Sequence, residues 1–435
     1  MTTITYHPAT DETLQRAADA LETLVGVLRW RTGKEVLVWD SEAGEYDPDS
    51  VKAFFDLQTD VGSYGFSMPK GASTALTKLG ANAGVSAPTP GIVGRPAVDP
   101  YTAFASFSHY DANVTVDSDG ETHLTGIIGD SRFSRNGSNG NVYSIAPTLY
   151  RSYDADSGNV YEFVSKTKLS GMAVQPGGKL PGGSTRPYMA YAKYPLGTYN
   201  GSPASVSGVQ PRIRDVSHND LITICSNSST GYSGKSYVDD WYVQTMFWLK
   251  YGSKHSQGVF AGCSSYYYAY PITVAESGVT RAIIAASNAA NLVVGSSVCI
   301  GTSDRGQQVC PDSRIVGIEA YDSSNSAVYL DAASSFTTTT SANVYTVPWA
   351  CGCCDGVEGD GSPTDPTSGK EPFVLQGIEL MHGMTEILGD VIVSNTGDGW
   401  EACILADSRK AATSVTSDYT HTGIYLPTNA SDSWK

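Results

Sequence analysis

The sequence predicts a mainly β fold with few helices, an α+β chain, on three observations. Short runs of alternating apolar and polar residues recur, split by Asp-Gly, Asn-Gly and Ser-Gly pairs that turn hairpins. The 435 residues include 45 Gly and 21 Pro, an abundance that helices tolerate poorly. Only two stretches carry helical spacing, Thr10–Trp30 and Ser236–Tyr251.

In Thr10–Trp30, Leu14, Ala18, Leu21, Val25 and Leu28 recur at steps of four and three, with Asp11 and Glu12 at the positive end of the helix dipole. Two heptads suit either packing on its own domain or a short oligomerisation bundle, and the expectation is a homotrimer built on residues 1–35. Residues 36–100 read as an attachment segment that ends in a linker arm. Its part Lys70–Pro100 is rich in Ala, Gly and Pro without sustained period, and is expected either to move freely or to lie along a partner chain. From Tyr101 to residue 207, runs such as ANVTVDSDG and NVYEFVS predict a β-rich spacer domain.

The segment 208–435 forms the third unit. Asp220–Cys225 (DLITIC) reads as a short buried strand. Ser236–Tyr251 reads as a helix with Trp241, Thr245, Trp248 and Leu249 on one face, and Ser236 with Asp239 forms a capping pair. Residues 272–348 return to β alternation and predict a small barrel inserted into this unit.

Composition narrows the function classes. Apolar residues make up 40% of the chain, and 26 Tyr, 11 Phe and 7 Trp supply more buriable aromatic area than a disordered chain carries. The longest apolar stretch, Arg281–Val294, is interrupted well before the roughly 20 residues of a membrane span, so no membrane insertion is expected. The first residues show no basic segment followed by an apolar one, so no secretory signal is read. A net charge of −16 with no basic cluster disfavours nucleic acid, whose phosphates demand local positive charge, and suits solubility instead.

Few motifs carry chemistry. SSTGYSGKS at Ser228–Ser236 ends like a phosphate-binding loop, but Ser229 stands where the opening glycine is needed for the tight turn. All eight cysteines follow residue 224. CGCC at Cys351–Cys354 lacks the second Cys pair of a zinc site, so buried thiols, a Cys299–Cys310 disulfide and a metal remain as alternatives; neither metal nor cofactor is expected. No HExxH or GxSxG occurs, and a carboxylate pair for glycoside hydrolysis is not a sequence pattern. Tyr266, Tyr267, Tyr268 and Tyr270 form a dense aromatic patch, which suits either ligand binding or a strand facing a core or an interface; Trp400 in NTGDGW carries the same two readings.

GVQPR at Gly208–Arg212, WYVQTMFWLKYGSKHSQ at Trp241–Gln257 and PWACGCCDGVEGDGSPTDPTSGKEPFVLQGIE at Pro348–Glu379 resemble, in order and spacing over about residues 101–435, a family of tail-fibre-like or receptor-binding virion proteins of phages that infect gut bacteria. Their C-terminal domains are similar to the formylglycine-generating-enzyme branch of the C-type lectin fold. Gln376, Gly377, Ile378, Glu379 and Gly383 match one family block, whereas Leu380, Met381 and His382 replace its Asn-Pro-Phe, and Met384–Leu388 stands where a calcium-binding stretch follows in the enzymes. Nothing reproduces the enzymes' catalytic cysteine pair. The Gly- and Trp-rich strands that close such folds either lie beyond Lys435 or leave the binding surface elsewhere.

The resemblance implies a structural protein on the phage particle, assembled in the host cytoplasm, that acts in host attachment as a tail or head fibre. It would contact other virion proteins through its N-terminal region and a host glycan or protein through a C-type-lectin-like domain. Two alternatives are a decoration or adaptor protein without a receptor of its own, and an enzyme such as a polysaccharide depolymerase or a formylglycine-type oxidase.

Overall fold

The computed structural model describes residues 28–29, 36–58, 60–117, 121–180, 182–211, 216–226, 234–263, 268–303, 306–381, 388–395, 397 and 399–426. Among them strands predominate, and there are four helices: α1 (Pro48–Leu57), α2 (His218–Ser226), α3 (Tyr237–Tyr251) and α4 (Ala286–Ala289). No helix of the described residues is long and apolar enough to cross a membrane. The predicted helix Thr10–Trp30 lies outside the described residues except at its end, where Leu28–Arg29 instead pairs as a strand with Val36–Leu37.

Two antiparallel sheets and two helices make the centre. A four-stranded sheet runs in the order Tyr188–Ala192, Val142–Pro147, Tyr110–Val116, Thr122–Ile127. Strand alternation splits its residues between two faces. Ala112, Val114, Tyr143 and Ile145 pack on Val51, Phe54 and Phe55 of α1, while Ala146, Met189 and Tyr191 face α3. Helix α1 begins where Asp47 accepts the N–H groups of Asp49 and Ser50 and Pro48 supplies a pre-set φ.

Helix α3 is the central strut. Ser236 and Asp239 form the expected capping box, and Gly252 closes the helix in the left-handed region at φ 63°, donating to the Trp248 carbonyl. The helix is buried on most sides, as its near-continuous apolar sequence requires. Trp241, Tyr242, Met246 and Leu249 join Tyr64, Phe66 and Val164 of a five-stranded sheet, and Phe247 joins Phe260, Phe373 and Leu375. That sheet runs Ala173–Val174, Tyr150–Ala155, Asn159–Ser165, Tyr64–Pro69, Thr77–Gly80. One core therefore joins residues from the segments expected to be attachment arm, spacer and C-terminal unit.

The side chain of Asp390 also caps α3, with both carboxylate oxygens 3.0 Å from the Tyr237 N–H. Burial pushes its carboxyl up to about 6, reinforced by Asp239 and Asp240 and opposed by the Tyr237 hydrogen bond. A folded value above the ordinary 3.8 means that the native state holds the proton more tightly, so this group's contribution to stability is largest below pH 3.8 and is lost as pH rises through 6. Asp390→Asn is expected to remove about 1–3 kcal/mol of that fall, allowing for partial screening. Urea unfolding of both proteins at pH 4 and pH 7.5 checks it; parallel pH profiles would refute the assignment.

Two expectations are corrected. Lys70–Pro100 does not swing free, because it lies along its own chain. Thr77–Gly80 pairs with Tyr64–Ser67, and Asn82 is fully buried, donating to the carbonyls of Gly65 (3.1 Å) and Leu249 (3.0 Å). Further on, Gly91, Val93 and Ala97 donate backbone N–H groups to Asp360, Pro363 and Glu358. Small residues let two backbones meet, so backbone hydrogen bonds hold this later part of the arm, while Leu76 and Val85 pack its earlier part on the core. Asp220–Cys225 is helical, within α2, rather than a strand. Leu221, Ile222 and Cys225 are its buried residues, on one helical face, and Ser217 and Asp220 cap it reciprocally.

The predicted insertion is a closed barrel of six strands, ordered Ala269–Val274, Arg281–Ala285, Asn325–Leu330, Cys310–Ala320, Ser297–Gly301, Asn343–Val347. Ile272, Ile284, Val298, Ile300, Ile315, Val328 and Val344 fill it. A three-stranded sheet, Val391–Asn395, Trp400–Leu405 and Tyr419–Leu426, ends the described chain.

Candidate functional site

The five-stranded sheet is covered on one face only. Register places Glu162 opposite Tyr153 and Phe66, on the side toward α3, where Trp241 Nε1 donates to Glu162 (2.8 Å) and Arg151 pairs with it (3.2 Å). Burial pushes the Glu162 carboxyl above its ordinary range although Arg151 and Trp241 oppose it. These contacts anchor the hairpin from beneath. The intervening residues Ser152, Asp154, Tyr161 and Phe163 therefore point to the other, open face, together with Ser67 and Thr77.

Ser152, Asp154, Tyr161 and Phe163 on that face, with Tyr153 between Ser152 and Asp154 in the chain, line an open cleft of about 310 Å³. Its floor depends on glycine: a Cβ at Gly65 would stand 2.3 Å from the Phe163 ring, and one at Gly80 would stand 2.4 Å from the Ser63 carbonyl. The Phe163 ring lies flat over this bare backbone. Tyr161 donates its hydroxyl to Asp156 (2.8 Å), which also accepts the Gly158 and Asn159 N–H groups at the hairpin tip. The result is a fixed aromatic pair beside a solvated carboxylate and a serine hydroxyl. Flat rings cover the C–H face of a sugar, and the polar groups can exchange hydrogen bonds with its hydroxyls.

The residues singled out in the sequence are not gathered into one site. Tyr266 and Tyr267 lie outside the described residues. Tyr268 is 55% exposed and stacks on Tyr270, with ring centroids 6.1 Å apart, but Tyr270 is only 8% exposed and belongs to the barrel core. Tyr268 and Tyr270, two residues apart, lie on one side of the chain, Tyr270 packed into the barrel and Tyr268 just before the strand, so among the described tyrosines of the patch Tyr268 is the one exposed for contact. Trp400, 49% exposed, sits in another sheet, on an outer face with Val393, Ile404 and Ile424, while Cys403 and Leu405 face inward.

Cys299 and Cys310 are not bonded to each other. Ile300, not Cys299, stands opposite Cys310, so the pleat directs Cys310 into the barrel core and Cys299 into a separate cluster with Tyr345 and Val347. Gly234, Lys235 and Ser236 of the apparent phosphate-loop motif serve α3: Ser236 caps it and Lys235 pairs with Asp240 at 2.6 Å, while residues 228–233 lie outside the described set.

Among the described residues, two groups have donors suited to a metal, Cys353–Cys354–Glu379 and Glu401–Cys403–His421. In the second, His421 Nδ1 meets both Glu401 (2.7 Å) and Cys403 Sγ (3.5 Å). A nucleophile relay needs a different ring nitrogen for each neighbour, so this arrangement does not make one.

Comparison with protein-family models, with curated proteins and with solved structures found no match to the chain. The cleft, the outer face around Trp400 and the buried thiol group are what this fold itself offers.

Proposed function

We propose that this chain is a surface component of a phage particle that attaches to host glycans, with the open face of the five-stranded sheet as its binding platform. The ordered sequence blocks that resemble receptor-binding virion proteins motivate the setting. The observation that carries the reading is the cleft: Tyr161 and Phe163 side by side, held over Gly65 and flanked by Asp154 and Ser152. Such a shallow site binds one or two sugar units weakly, and several copies on one particle multiply the avidity. The expected homotrimer, attached to the virion through its N-terminal region, supplies those copies.

Phe163→Ala and Tyr161→Ala are each expected to weaken binding to host cells or purified surface polysaccharide at least about tenfold, with Tyr268→Ala near wild type. Equal binding by all three variants would overturn the platform. Release of reducing sugar by the same preparation would replace attachment by depolymerase activity.

A second reading, a decoration or adaptor protein, is favoured by the outer face of the C-terminal sheet. Val393, Trp400, Ile404 and Ile424 are exposed there together, and apolar surface of this kind suits a protein partner more than a sugar. Antibody labelling of the particle separates the readings, since an adaptor sits away from the host-facing tips.

A further inference from the structure

The structure assigns a zinc-binding centre to Cys353, Cys354, Glu379 and Cys263. The two neighbouring Sγ atoms and a Glu379 carboxylate oxygen lie within 4.8 Å of one another. Cys263 shares a buried cluster with Trp349 and Met381, and Cys353 and Val293 pack against that cluster. All three cysteines are thiols, and Cys263, Cys354 and Glu379 are each at most 5% exposed. In a tetrahedral site with Zn–S near 2.3 Å, ligand atoms sit about 3.8 Å apart, so Cys353, Cys354 and Glu379 close on a cation by shifts of about 1 Å or less, and Cys263 is the donor from the adjoining cluster that completes the set.

The surroundings position these donors. Glu379 accepts the Gly352 N–H at 3.0 Å and the Cys354 N–H at 2.9 Å, one on each oxygen. Each oxygen keeps a lone pair for a metal, and the hydrogen bonds fix the carboxylate's direction as outer contacts do in metal sites. Gly352 has φ 86°, and a Cβ there would meet Ser207 Oγ at 1.9 Å, so the turn carrying both cysteines has one shape. Backbone pairing of Cys263 with Lys370 brings the fourth donor in from a distant part of the chain.

Among the described residues, no ion pair neutralises the Glu379 carboxylate, and Lys193 spends its ammonium on Asp111 (3.0 Å) and the Gly377 carbonyl (3.0 Å). A buried carboxylate beside three thiols, with positive charge near but not touching, is a donor set waiting for a cation. Thiolates favour zinc, copper(I) or iron, and a carboxylate in a dry tetrahedral set favours zinc among these. On binding, the three thiol protons pass to solvent and no electron moves. The role is structural: the ion ties the Cys351–Cys354 turn to the strand Ile378–Leu380 and to Cys263 beside the barrel.

The full chain, purified under reducing conditions, is expected to contain one zinc per chain by elemental analysis. After chelation, Co2+ should restore one equivalent with thiolate-to-cobalt absorption. Cys354→Ser and Cys263→Ser should weaken Co2+ binding by more than the roughly 10–100-fold that loss of an outer-shell contact causes, and Cys403→Ser should leave it unchanged. Because serine variants can misfold, thiol-reagent titration of the wild type supplies an independent reading: three thiols protected by zinc and released by chelator. Stoichiometric copper or iron, absence of bound metal with all thiols reactive, or a disulfide among these three cysteines in the native protein would each overturn the assignment.

Discussion

Lys250→Met is expected to destabilise the folded chain by about 3–5 kcal/mol, the largest effect of any single substitution considered. Lys250 stands in the last turn of α3 and is 1% exposed. Its Nζ lies 2.6 Å from Asp99 Oδ2, 2.6 Å from Asp360 Oδ2 and 3.0 Å from Gln376 Oε1, so each of its three N–H donors has an acceptor. Burial pushes the ammonium's pKa down, but Asp360 and Asp99 outweigh that and raise it, so the lysine is charged at neutral pH. Methionine fills the space of the stem and removes from Asp99 and Asp360 the buried ammonium that they share. Urea unfolding measures the loss. The triple variant Lys250→Met, Asp99→Asn, Asp360→Asn should recover much of it, because the penalty comes from the orphaned charges rather than from a missing contact. A single-variant loss below about 1 kcal/mol would mean that the three groups are not joined.

That ion triad was not legible in the sequence, since Asp99, Lys250 and Asp360 are far apart and no spacing relates them. Features governed by neighbours in the chain read well. The α3 cap and the barrel follow from local turn chemistry and alternation. The failures have physical causes too. DLITIC is too short for its period to decide between helix and strand, and the cap at Ser217 and Asp220 decides it. The later part of the arm is held by backbone bonds, which small residues permit but do not announce. The cleft was missed because a charged residue, Glu162, occupies the covered face of its strand while Tyr161 and Phe163 face solvent, the reverse of the usual pattern; Trp241 and Arg151 make that inversion stable. CGCC lacked a second pair in sequence, yet the fold brings Glu379 and Cys263 beside it.

Gly361→Ala is expected to destabilise the protein by about 2–4 kcal/mol, through backbone contact rather than charge. Gly361 runs between two extended segments. It exchanges hydrogen bonds with Val374 (3.0 and 2.7 Å) on one side, and on the other Gly91 donates to Asp360 (2.8 Å) and accepts from Ser362 (3.2 Å). A Cβ at position 361 would stand 2.2 Å from the Gly91 carbonyl oxygen and 2.7–2.8 Å from its carbonyl carbon and nitrogen. No rotamer change relieves a clash with backbone, so the arm must lift, and Val93 and Ala97 would lose their hydrogen bonds with it. Lifting also pulls on Asp99, which couples this substitution to the Lys250 triad, so the two together should fall short of the sum of their separate effects. Gly71→Ala, in the same arm but with open space around its Cβ, should stay within about 0.5 kcal/mol of wild type. Limited proteolysis between residues 86 and 98 is the specific readout. New cleavage there in Gly361→Ala, and none in Gly71→Ala, would show that the backbone of 358–363 holds the arm; equal resistance in both would show that something else does.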